Sequence, residues 1–324
     1  MLFDERTHAH LREPLARLNA EGVSIGTSSW KYPGWCGQVY TEANYFTRSK
    51  FSEAKFEREC LAEYGGVFPT VCVDAGYYTF PSVKYLEGLC SQVPEGFKFG
   101  FKVSDAITIK TYPNIPRFGD KAGKLNEHFL DADLFRAAFL SSCDRFKDKI
   151  GVLIFEFSHF HPSDFAHGRD FMNQLDGFLA KLPKSFAYAV EIRNSTFLHP
   201  EYFAMLGSHG VAHVFNSWTR MPGVEEQIEL EGSFTTDFTV ARLLLRPGRA
   251  YEQAVKAFSP YKSIQDPNET VRDAALKLVM RSLGKKRPSF IFVNNRLEGN
   301  AVMTIAAILE LIRREGQSSE GDKA

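Results

Sequence analysis

Six ionisable residues stand at comparable places in short apolar runs: Asp74, Lys102, Glu156, Glu191, Arg193 and Arg242. The runs are TVCVDA (70–75), FKFGFKVS (97–104), GVLIFEF (151–157), AYAVEIR (187–193) and FTVARLLL (238–245). Side chains of a strand alternate in direction with period two, so each run can be phased. Phe97, Phe99 and Phe101 need helices to pack against, which sends Gly100 and Lys102 to the opposite face. Tyr188, Val190 and Ile192 take the helix side of their run, opposite Glu191 and Arg193. The same phasing turns Asp74, Glu156 and Arg242 inward. A carboxyl in a partly desolvated pocket has its pKa raised toward neutrality and can move protons, which nominates Glu191 and Glu156 for acid/base work. Lys102 is a candidate for binding an anion, or for a Schiff-base amine if neighbouring cations depress its pKa. The forked guanidinium groups of Arg193 and Arg242 suit phosphate or carboxylate. The competing reading of three acids and three bases is a structural ion-pair network, because charge inside a fold must be neutralised.

Other groups extend this set. Trp30 and Trp35 follow the run VSIGTS (23–28), and Trp218 follows VAHVFN (211–216). They are either lids on the core or a flat platform for a sugar or base. Asn294 and Asn295 close SFIFVNN (289–295), and one of them is expected to point inward as a neutral hydrogen-bonding group. With Asp74, Arg193 and Arg242 these form the expected substrate-binding set. His159, His161 and His167 lie beside Asp164 in HFHPSDFAH, a spacing that fits no metal-ligand pattern and predicts a solvated loop. No tightly held transition metal is expected among so many lysines and arginines. There is no P-loop, GxGxxG or GxSxG, so no cofactor is expected.

The elements that must position these groups alternate regularly. Eight strand-like runs are separated by helix-like segments at about 51–64, 82–92, 131–147, 164–182, 200–209, 269–284 and 298–314. Strands alternating with helices imply parallel units with right-handed crossovers, and eight such units in 324 residues fit an α/β fold of the single (β/α)8 TIM-barrel type. The expected organisation is a helical extension over 1–22, the barrel over 23–315 and a frayed tail over 316–324. Active sites of such barrels sit at the C-terminal ends of the strands, the height at which the six charges fall. The 39 basic residues balance 39 acidic ones, which argues against a dedicated nucleic-acid partner. No apolar run nears the ~20 residues that span a bilayer, and the opening MLFDERTHAHLREP lacks secretory features. Five cysteines without a CxxC pair then read as reduced thiols, and the expected location is cytoplasmic.

IGTSSWKYPGW (25–35) resembles the opening motif of the YecE-like family, also known as domain of unknown function 72. FKFGFKVSDAIT (97–108), YAVEIRNSTFL (188–198), TTDFTVARLLL (235–245) and FVNNRLEGNAV (292–302) resemble further family motifs in the same order. The resemblance implies a (β/α)8-type barrel and supplies no activity, because the family's biochemical function is generally unassigned. The chain departs from the usual pattern in four places. Ile109 stands where a His is usual, Leu244 interrupts an RLHG segment, Glu156 replaces a Gln, and Asp74 replaces a Glu. Two fewer histidines weaken any transfer of a metal site. The leading expectation is a barrel enzyme using acid/base chemistry on a small anionic or sugar-like ligand at the C-terminal face. The alternatives are a metal-dependent phosphodiesterase resembling the endonuclease-IV barrels, and a non-catalytic binding or scaffold barrel.

Overall fold

Each of the eight apolar runs forms a strand in the computed structural model, which describes residues 5–321. The strands are β1 (Val23–Thr27), β2 (Thr70–Val73), β3 (Lys98–Lys102), β4 (Ile150–Phe157), β5 (Tyr188–Ile192), β6 (Ala212–Ser217), β7 (Thr239–Leu243) and β8 (Ser289–Val293). All pairings are parallel and the sheet closes on itself, with β1 joined to β8 from Val23↔Ser289 to Thr27↔Val293 and to β2 at Thr27↔Val71. The closing seam is thin on the β2 side, and helix α2 (Glu53–Val67) reinforces it. The Tyr64 hydroxyl accepts from the Thr27 N–H at 3.0 Å and donates to the Thr70 carbonyl at 2.9 Å, tying the two strands together.

The phasing read from the sequence divides the core into two layers. Cys72, Val152, Ile154, Ala189, Ala212, Val214, Val240 and Phe292 fill the barrel, with Phe238 and Phe290 packed against them. The Phe290 and Phe292 rings stack 6.4 Å apart and reach across the lumen toward β3 and β4. Glycines make room for them: a Cβ on Gly100 would lie 2.6 Å from the Phe292 ring, and one on Gly151 2.6 Å from that of Phe290. Phe97, Phe99 and Phe101 pack outward into the larger layer between strands and helices.

Helix α1 (Glu5–Ala20) lays Leu11, Leu15 and Leu18 into that outer layer, where the sequence predicts a helical extension; residues 1–4 lie outside the described residues. The other long outer helices are α3 (Val83–Cys90), α4 (Gly168–Leu179), α5 (Pro200–His209), α6 (Glu269–Lys285) and α7 (Ala301–Gly321). The frayed tail expected from residue 316 is helical as far as Gly321, because Arg313 and Arg314 pair with Glu310 and Arg313 reaches Gln317 one turn on. Residues 322–324 of that tail lie outside the described residues. The helix expected at 131–147 is instead a chain of short turns of differing pitch, from Ala132–Leu134 to Asp144–Lys149. One-turn helices follow β2 (Ala75–Tyr78), β3 (Asp105–Thr108) and β8 (Asn295–Glu298) and shape the C-terminal mouth. No helix among the described residues is long and apolar enough to cross a membrane.

Candidate functional site

At the mouth, the six inward charges of five strands meet in one closed ring of ion pairs. Glu156 Oε2 receives Lys102 Nζ at 2.7 Å, Arg193 Nη2 at 2.9 Å and Arg242 Nη1 at 2.9 Å. Glu191 takes Arg193 at 3.1 Å on one oxygen and Arg242 at 2.6 Å on the other. Asp74 Oδ1 completes the ring, 3.4 Å from Arg242 Nη2 and 4.0 Å from Lys102 Nζ. Three carboxylates balance three cations. Burial is graded: the side chains of Glu191, Glu156 and Arg242 are at most 3% exposed and those of Lys102 and Arg193 10–11%, while that of Asp74 is 36% exposed.

The electrostatics correct two expectations. Burial alone would raise the Glu156 pKa, but Arg193, Lys102 and Arg242 outweigh it and hold the carboxyl well below the usual range. Glu156 is therefore a fixed anion, where the sequence suggested a carboxyl poised near neutrality. Burial likewise would depress Lys102, but Glu156 and Asp74 prevail over Arg242 and Arg193 and raise its pKa. Lys102 is a locked ammonium and not the depressed amine that a Schiff base requires. Arg242 is held even more firmly in its charged form, its burial overcome by the carboxylates around it.

Aromatic groups brace the ring. Trp218 covers Arg193, with the guanidinium carbon 3.7 Å over the ring centroid, so it joins the site as a clamp on that arginine. The other two tryptophans do not form the expected platform. The tight turn Pro33–Trp35 folds Trp35 back into the core between Tyr32 and Tyr40, fully buried. Trp30 is 5% exposed and lines a shallow cavity with Leu61 and Tyr85 on the flank between α2 and α3. Asn294 and Asn295 are both buried and hold backbone: Asn294 Oδ1 accepts from the Arg296 N–H at 2.9 Å and Asn295 Oδ1 from the Ala301 N–H at 2.8 Å. His159, His161 and His167 are exposed, as a solvated loop requires. Among the described residues no group of three or more histidines, cysteines or carboxylates is arranged to hold a metal.

Several site residues escaped the sequence reading. Tyr77 places its ring 3.9 Å from Lys102 Nζ. Asn216 shares a register position with Arg242, and its Oδ1 and the Arg242 Nε–H are both buried without partners. Tyr32 lies within electrostatic reach of Asp74 and of Arg296, the residue two beyond Asn294. Asn216 had a usable signal, the inward phase of VAHVFN, and Arg296 stands inside the last motif quoted above. Tyr77 and Tyr32 sit on loop turns, where alternation says nothing about direction.

No curated protein matches the chain. It superposes on a DUF72 family protein from Thermotoga maritima MSB8 with a TM-score of 0.59 and 19% identity, covering 90% of this chain and 99% of the other. A DUF72 family protein from Enterococcus faecalis V583 gives a TM-score of 0.58 at 16% identity, covering 90% and 94% respectively. Those likenesses are of fold. The family model described as "Protein of unknown function DUF72" matches residues 24–323, nearly the whole barrel and the helix that follows it, and the chain belongs to that family.

Proposed function

We propose that the barrel mouth is the active site of an enzyme that moves a proton on a small polar substrate bearing an anionic group. The observation that carries this reading is the graded burial of the ring, in which Asp74 alone opens substantially to solvent. Asp74 takes the proton. Lys102, fixed in its charged state, and Arg193, covered by Trp218, stabilise negative charge as it develops on a substrate oxygen. Glu156 and Glu191 position those cations and make no contact with the substrate. The chemistry this favours is proton abstraction beside a carbonyl or carboxylate. The competing reading, a purely structural ring, draws on its complete self-neutralisation.

The test is deuterium exchange followed by proton NMR, using small 2-oxo acids, 2-hydroxy acids and sugar phosphates in heavy water. Wild-type protein is expected to wash deuterium into the carbon next to the carbonyl of at least one probe. Asp74→Asn should slow this at least ~100-fold, the usual scale of general-base catalysis, while lowering Tm by no more than a few degrees. No exchange into any probe, together with no ligand-induced rise in Tm at millimolar concentration, would overturn the proposal.

A further inference from the structure

We infer that the anionic group of that substrate, a phosphate or carboxylate, docks on Arg296 at the corner of the mouth between β1 and β8. The inference rests on the proposed function and moves anion recognition away from Arg193 and Arg242, where the sequence suggested it. The six-membered ring is already neutral, so a phosphate or carboxylate seated in it must displace Glu156 and Glu191 from their N–H donors, whereas partial charge developing on a substrate oxygen at the edge of Lys102 and Arg193 displaces neither. The energy of leaving a buried carboxylate unpaired opposes such an exchange.

Arg296 has no such competitor. Among the described residues no carboxylate pairs with it, and its guanidinium carbon lies over the ring of Tyr251, 4.4 Å from the centroid. Glu298, fully buried, holds Arg272 at 3.0 Å and accepts from Thr304, while Asp266 is taken by Arg246 and Arg249. Arg296 is half-buried, so its charge is less screened than that of a free surface arginine.

Two further donors lie along the same β1–β8 seam. Ser28, one residue beyond β1 and in its inward phase, is buried, its N–H bonded to the Val293 carbonyl of β8 at 2.9 Å, and its hydroxyl has no partner. Asn295, beside Arg296 and 1% exposed, has an unpartnered side-chain N–H₂. Buried donors without partners are costly and rare, and an oxyanion accepts from several at once. Tyr32 lies within electrostatic reach of both Arg296 and Asp74. Tyr251 opens the helix Tyr251–Phe258 in the connection after β7, and Arg296 lies in the one-turn helix after β8, the two connections that commonly bind phosphate in barrels of this type.

Thermal unfolding with inorganic phosphate, sulfate or malonate, each against sodium chloride of equal ionic strength, tests the site. Wild-type Tm should rise with phosphate in a saturable way beyond the chloride control. Arg296→Gln should weaken the apparent phosphate affinity at least tenfold while leaving the ligand-free Tm within a few degrees, since no ion pair is lost. Arg296→Lys, which keeps the charge and loses the fork, should respond more weakly than wild type and more strongly than Arg296→Gln. A full phosphate response in Arg296→Gln overturns the inference, and if Arg193→Gln removes that response the anion belongs to the ring and the proposed function stands. Absence of an anion-specific shift in wild type also overturns it, whereas deuterium exchange dependent on Asp74 is read separately and decides the proposed function by itself.

Discussion

Arg242 touches all three carboxylates of the ring from the barrel interior, whereas Asp74 touches two cations from its rim. The two therefore separate the structural from the catalytic part of one network. Arg242→Met removes the cation shared by Glu156, Glu191 and Asp74 and leaves buried negative charge in excess. It is expected to destabilise the fold by about 3–5 kcal/mol in urea unfolding, as broken buried pairs do. Asp74→Asn removes a partly solvated charge and should cost under ~1 kcal/mol. Equal losses in the two variants would make the ring a single structural unit and leave Asp74 no freedom to act. All six of these residues were legible in the sequence, because strand alternation fixes direction without knowledge of loops. Tyr77 and Arg296 were not, since their placement depends on the one-turn helices after β2 and β8.

At the scale of elements, the interior of the barrel is set by complementarity across the lumen. β8 contributes two phenylalanines, and β3 and β4 answer with glycines where the rings arrive. Gly100→Ala places a methyl 2.6 Å from the Phe292 ring, against neighbours that are fully buried. It is expected to cost about 1–3 kcal/mol of stability, the usual range for overpacking, and Phe292→Leu in the same chain should return part of that loss. A double variant that is merely the sum of its parts would show that the strain lies elsewhere. The strands themselves were legible from apolar runs of six to eight residues. The breakdown of 131–147 into turns was not, because Phe135, Phe139 and Leu140 keep a helical spacing while the local pitch changes around them. Nor was the burial of Trp35, which depends on the turn at Pro33.

At the scale of the whole molecule, two buried groups should give stability an acid profile with separable steps. His213 points outward from β6 into a shell of Tyr202, Phe203 and Phe215, and neither ring nitrogen has a hydrogen-bond partner. Burial pushes its pKa down to about 4, opposed by the Gln227 side chain. The unfolded chain takes up a proton at this histidine near pH 6.5 and the folded chain does not until about pH 4. Between those values the unfolded state binds more protons, so stability falls as pH falls, by about 3 kcal/mol across the window. Glu156 acts lower. Its folded pKa is depressed, so its contribution is complete above the unfolded carboxyl value and is lost only as pH drops below ~4.5. Asp105, whose carboxyl is raised by burial against the pull of Arg117, works in the opposite sense near pH 4 and softens the second step. Urea unfolding of wild type and His213→Phe at pH 7.5, 6.5, 5.5 and 4.5 isolates the first step. The variant should be nearly flat over that range, while wild type loses stability steadily below pH 6.5. A variant that declines in parallel with wild type would show that the histidine is not the group responsible.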